Sequence, residues 1–160
     1  DFVAKDTQSP DTYGDSYLQA RNPISVEGIF QLTTGCSLPV YNGGAIHTRL
    51  RYFDADRRRP GLPEDTAALI EKIENDNVQL VLVNLSQSHE RHLILRAGFF
   101  GEHRFDSLSV LGTDGRKPLA ADQSPDNELR IPLAPGSTVR LVLEMTRFAN
   151  RPSARFPSWD

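Results

Sequence analysis

His89, His92 and His103 fall in one short stretch, with Glu90 and Glu102 beside them. Neutral imidazole and carboxylate together suit zinc, iron or manganese, so these residues could hold a catalytic metal if the chain brings them together. The spacing works against it. His89 and His92 are three positions apart, and on a strand such residues point to opposite faces, so only a bend would let them converge. Arg91 and Arg104 stand next to the histidines and disfavour a bound cation. The structural alternative is that the histidines are surface groups near strand ends.

Arginine makes the second candidate. In Asp54-Ala55-Asp56-Arg57-Arg58-Arg59 two carboxylates precede three guanidiniums. Arginine suits planar, bidentate recognition of carboxylate or phosphate. Arg49 and Arg51 would extend that surface, and Tyr41 lies close by in sequence, so these six residues are a candidate ligand or partner contact. Local ion pairing within a loop is the competing explanation. No basic stripe interleaved with aromatics accompanies the run, which argues against nucleic acid.

Other features carry less chemistry. Asn42-Gly43 fits a tight turn better than a ligand cradle, and no Gly-Lys-Ser/Thr follows to make a phosphate loop. Cys36 is the single cysteine, which excludes an internal disulfide and a cysteine-bound zinc and reads as a small buried hydrophobe. Asn84-Leu85-Ser86 is a glycosylation triplet, a pattern that often arises by chance. No Gly-x-Ser-x-Gly elbow occurs and no carboxylate pair stands out as an acid and base. The aromatics, including Tyr41, Tyr52, Phe99, Phe100, Phe105 and Trp159, could stack on sugar rings or serve as core and tail anchors. None of these features implies a cofactor.

The elements that must position these residues are mostly strands. Val78–Leu85, His92–Ala97, residues 102–111, Glu128–Leu133 and Thr138–Met145 are β-rich runs separated by turn residues. Leu93, Leu95 and Ala97 alternate with His92, Ile94 and Arg96, and Val139, Leu141, Leu143 and Met145 form a similar inner row. Gly98 and Gly101 mark a bend around Phe99-Phe100. In the first half, Ile24–Thr33 and Ala45–Phe53 read as strands flanking the Asn42-Gly43 turn, with Ile46, Thr48, Leu50 and Tyr52 inward. Pro63–Glu74 reads as the one helix, because Thr66, Leu69, Ile70 and Ile73 share a helical face behind an N-terminal proline. Residues 1–23 read as an irregular arm, and 147–160 as an extended tail packed on a surface.

Short connections imply antiparallel pairing, and turns recurring every ~8–12 residues imply a sandwich or barrel. The expected fold is therefore a mainly β, antiparallel β-sandwich with one short helix, spanning residues 1–160 as a single domain. Its 160 residues are enough to bury about 70% of the unfolded surface without disulfides or metal. With 38% apolar residues, 24% charged residues and a net charge of −3, no global field favours nucleic acid or an anionic membrane. No apolar run approaches the ~20 residues of a membrane-spanning helix.

From Val78 onward the chain resembles the accessory β-sandwich at the C-terminal end of multidomain carbohydrate-active enzymes. The likeness is carried by the strand ending Val83-Asn84-Leu85-Ser86, by Arg91–Gly98 after a polar loop, and by Leu133–Met145. It covers about residues 77–147 and contains no catalytic motif. The resemblance implies a domain that packs against or completes a preceding or partner catalytic unit, and the start at Asp1 rather than Met fits a piece of a longer polypeptide. The leading expectation is a non-catalytic accessory domain or small subunit of a larger carbohydrate-active enzyme. A stand-alone carbohydrate-binding module is the second. A small metal-dependent enzyme similar to cupins, using His89, His92 or His103, is the third; a cupin-type site resembles His-x-His followed by Glu and a distant His, and this spacing departs from it.

Overall fold

The computed structural model describes residues 3–14, 27–37, 43–112, 115–118 and 126–159. Among the described residues nine strands form two antiparallel sheets. Strands β1 (Leu50–Asp54), β2 (Arg59–Pro60), β5 (Arg91–Ala97) and β8 (Glu128–Leu133) make a four-stranded sheet ordered β2-β1-β5-β8. Strands β3 (Thr66–Ile73), β4 (Asn77–Asn84), β6 (Arg104–Gly112), β7 (Gly115–Pro118) and β9 (Thr138–Thr146) make a five-stranded sheet ordered β3-β4-β9-β6-β7. Alternate residues of both sheets meet in one core. Leu50, Tyr52, Leu93, Leu95, Leu129 and Ile131 come from the first sheet, and Ile70, Leu80, Leu82, Phe105, Leu141 and Leu143 from the second. The fold is a β-sandwich, as the period-two patterning of the second half demands. Among the described residues no helix is long and apolar enough to cross a membrane.

The helix is not where residue spacing places it. Thr66–Ile73 is strand β3, at the edge of the five-stranded sheet, and Ala68 and Ile70 point into the core while Leu69 is 41% exposed. Two features defeat the helix. Asp65 has φ 56°, a left-handed conformation in the turn where a helix would begin. The register then shifts between Ile70 and Lys72, a bulge that moves the apolar residues out of simple alternation and lets the run imitate a helical face. Ladder pairing with β4 outweighs the local propensity.

The converse error concerns residues 24–33. Glu27–Thr34 is the α-helix α1, with residues 24–26 outside the described set. The Thr33 and Thr34 hydroxyls donate back to Ile29 O and Phe30 O, 2.8 and 2.6 Å. Gly35, at φ 69°, ends the helix and donates its N–H to Gln31 O, 2.9 Å. The Tyr52 hydroxyl donates to Thr33 O at 2.5 Å and ties α1 to the core. The expected strand Ala45–Phe53 is real only from Leu50. Gly44–His47 is a 3-10 turn entered through Gly43 at φ 82°, and Ile46 is 56% exposed rather than inward.

Candidate functional site

The outer face of the four-stranded sheet carries an ordered set of polar and aromatic groups. Register places them in rows across β1, β5 and β8: Arg51–Arg96–Glu128, then Phe53–Ile94–Arg130, with His92 opposite Pro132 beyond them. The segment 151–159 crosses this face without regular structure. It is fastened by Arg96 Nη1 donating to Arg155 O at 2.8 Å and Arg130 Nη2 donating to Ser158 O at 2.6 Å. Phe156 and Trp159 present their rings to Phe53 at centroid distances of 6.4 and 6.1 Å, and stack on each other at 6.3 Å. Phe53 is completely buried although it points away from the core. The Arg51 and Arg96 guanidiniums complete its cover at 4.9 and 4.7 Å from the ring centroid.

Beside this stack lies a cleft of about 440 Å³, lined by Asp56, His92, Arg130, Pro132 and Trp159 among others. Asp56 belongs to the turn between β1 and β2. One of its carboxylate oxygens receives the backbone N–H of His92 at 3.1 Å, and the other meets His92 Nδ1 at 2.9 Å. Glu90 Oε1 meets His92 Nε2, also at 2.9 Å. His92 is thus held at both ring nitrogens, with its side chain about half exposed. A carboxylate has roughly four acceptor positions, so Asp56 keeps capacity for further donors.

The metal candidates do not assemble. His89 sits in the β4–β5 loop with its Nδ1 at 2.9 Å from Ser88 Oγ and 3.3 Å from Ser86 Oγ. His103 is buried on the far side of the Gly98–Gly101 bend, where its Nδ1 accepts the Phe148 N–H at 3.0 Å. Among the described residues no group of three His, Cys, Asp or Glu side chains could hold a metal ion.

The arginines divide. Arg57 and Arg59 serve the β1–β2 turn, where buried Asp54 accepts the Arg57 backbone N–H at 3.0 Å and pairs with Arg59 Nη2 at 3.2 Å. Arg57 also pairs with Glu64. Arg58 is exposed with φ 50°. This half of the arginine run is a set of local ion pairs that shapes a turn. Arg51 instead lies under the bend, donating to Phe99 O at 3.0 Å with its guanidinium 4.3 Å from the Phe99 ring centroid. Burial, and then repulsion from Arg96, lower its pKa. Arg49, half-buried, stands at the entrance to β1. Tyr41 lies outside the described residues.

Two supposed markers resolve as structure. Asn84 is 1% exposed; its Nδ2 donates to the carbonyls of His89, Leu133 and Ala134 at 2.8 to 3.2 Å, and its Oδ1 accepts the Ser86 N–H at 3.0 Å. The glycosylation triplet is therefore a joint between the sheets, and no sugar can reach that nitrogen in the folded domain. Cys36 is buried, its thiol 2.9 Å from Gly44 O. Sequence reasoning assigns neither Asp56 nor Arg130 to a site, and it names Trp159 only among the aromatics that could stack on a sugar ring or anchor the core and tail. Asp56 is legible only as part of the arginine run, and Arg130 only as a member of the strand Glu128–Leu133. No family model, curated protein or solved structure matches the chain.

Proposed function

We propose that this chain is an accessory β-sandwich domain of a carbohydrate-active enzyme, and that it holds a sugar in the cleft beside Trp159 while bond cleavage belongs to a partner catalytic unit. The cleft is the observation that supports the reading most directly. Its volume falls within the ~300–1,000 Å³ of ordinary small-molecule sites. Its chemistry matches a ring with two kinds of surface. The indole offers a flat apolar face to the C–H side of a sugar ring. Asp56 and Arg130 offer charged partners to the hydroxyl rim, and hydrogen bonds to charged groups are the stronger kind.

Trp159 is the only tryptophan in the sequence, so intrinsic fluorescence reports on this site alone. Titration with a panel of neutral and acidic oligosaccharides is expected to give a saturable emission change for at least one member. Asp56→Asn is expected to weaken that binding about tenfold, the worth of one charge-assisted hydrogen bond. Flat titrations across the panel, matched by silent calorimetry, would overturn the reading.

A second observation bears on the partner. Large exposed apolar side chains gather on α1, where Ile29 and Leu32 are 66% and 57% exposed, and on the edge strand β3 that α1 packs against, where Leu69 and Ile73 are 41% and 45% exposed. Apolar surface of this kind suits a docking contact with a catalytic domain.

A further inference from the structure

The bend between β5 and β6 carries a second cluster, independent of the cleft. His103 and Glu102 are both buried there. The carboxyl of Glu102 fills the space beside Gly98, where a Cβ would come within 2.6 Å of it. One Glu102 oxygen accepts the Phe100 N–H at 2.8 Å, and the other lies 4.0 Å from His103 Nε2. Asn150 closes the turn, donating its backbone N–H to Glu102 O at 3.1 Å and its amide to His103 O at 2.8 Å.

Two arginines flank this cluster, Arg49 just before β1 and Arg147 just after β9. Each has one guanidinium nitrogen sealed from solvent without a hydrogen-bond partner, Nη1 in Arg49 and Nε in Arg147. Among the described residues neither is paired with a carboxylate, and Glu102 is not within ion-pair distance of either. The two guanidiniums repel each other. Burial, followed by the charge of Arg147, lowers the pKa of Arg49. His103 is also pushed down, by burial first, with both arginines adding to the effect against the pull of Glu102. Two cations, a neutral imidazole and one carboxylate leave a local excess of positive charge.

Phe148 adds the second half of the argument. Its backbone has φ 54°, a conformation that a residue with a bulky side chain adopts only under constraint. The constraint is visible, since its N–H is held by His103 Nδ1. The result is a ring 64% exposed, with its centroid 5.1 Å from the Arg147 guanidinium and 4.9 Å from the His103 ring. A large apolar side chain is thus held out into solvent next to Arg147, one of the two arginines with an unpaired donor.

We propose that Arg49 and Arg147 form a binding site for an oxyanion, a phosphate, sulfate or carboxylate group, with the Phe148 ring as a platform for the apolar body that carries it. Buried N–H groups without acceptors are costly, and guanidinium is built to donate two parallel hydrogen bonds to such a group. An anion reaches these nitrogens once the side chains that cover them turn aside, and seated there it completes both arginines and neutralises their repulsion.

The test titrates sodium phosphate, sulfate and acetate into the folded domain at constant ionic strength, with chloride as the control. The readouts are the His103 ring resonance by NMR and the midpoint of thermal unfolding. A saturable His103 shift with a matching rise in the midpoint is expected for at least one anion and not for chloride. Saturation by phosphate or sulfate alone assigns a tetrahedral group, and saturation by acetate assigns a carboxylate. Arg49→Gln and Arg147→Gln are each expected to weaken the response tenfold or more. Arg147→Lys, which keeps the charge and loses the fork, is expected to fall between. Trp159→Ala should leave the response intact, which separates this site from the cleft. An absence of saturation for all three anions, or a response that survives in both glutamine variants, would sink the proposal.

Discussion

Asn84 shows how much one side chain can be asked to do. Its two amide hydrogens are shared among three carbonyls, one in the β4–β5 loop and two where β8 ends, and its oxygen accepts a backbone N–H, all while buried. Asn84→Ala leaves the two buried groups among them, Leu133 O and the Ser86 N–H, without partners, and each buried orphan costs about 1–3 kcal/mol. The expected loss is about 2–4 kcal/mol in a denaturant titration, and a value under 1 kcal/mol would contradict this role. His103 makes a pH prediction with a definite sign. Its folded pKa lies below the ordinary 6.5, chiefly because it is buried. As pH falls through about 6.5 the unfolded chain takes up a proton that the folded one refuses, so stability drops until the folded pKa is reached. His103→Gln is expected to flatten the decline in stability between pH 7 and pH 5, followed by urea denaturation at each pH. Residue types alone could not sort these roles. The sequence shows His89, His92 and His103 as one cluster, and the fold assigns them to a serine-lined loop, a carboxylate pair and a buried bend.

At the scale of elements, what could be read depended on whether alternation was clean. Strands β4, β5, β6, β8 and β9 follow the expected runs to within two residues, because β4, β5, β8 and β9 each present one uninterrupted apolar row to the core and β6 resumes its row after a register shift between Phe105 and Ser107. The exchange of helix and strand in the first half has a common cause. Short apolar runs are ambiguous between the two periods, and tertiary partners decide. A bulge disguised β3, while Gly35 and the threonine hydroxyls favoured α1 over the β-branched composition of its neighbourhood. Exposed charge also marks β3 as an edge, with Lys72 paired to Glu74 and Glu71 Oε2 3.6 Å from Arg140 Nε. Because Ile29 and Leu32 face solvent, replacing both by serine is expected to change the stability of the isolated domain by less than about 0.5 kcal/mol. A thermal midpoint lowered by many degrees would show instead that they pack within the domain and do not await a partner.

For the whole molecule, the tail at 151–159 behaves as a third layer. It covers Phe53, an apolar residue on a sheet face that would otherwise meet water. The sequence indicated an extended tail on a surface, yet nothing in it named the face, since Phe53 gains its significance only once β1 is paired with β5. Deleting residues 151–159 uncovers the Phe53 ring, a loss of about 3 kcal/mol before the two broken arginine contacts are counted. Calorimetry is expected to find the midpoint lowered by roughly 6–12 °C, and an unchanged midpoint would show the tail to be an ornament. The order of strands in the five-stranded sheet has a consequence of another sort. β9 lies between β4 and β6 and bonds to both. During synthesis β3 and β4 emerge as one hairpin and β6 and β7 as another, and nothing joins them until β9 has been translated. The nascent chain must therefore wait, half-assembled and with apolar rows uncovered, for its central strand. A ribosome stalled before Thr138 would carry every strand of the four-stranded sheet but only two unjoined hairpins of the five-stranded one, so chaperone occupancy should be greatest in that interval.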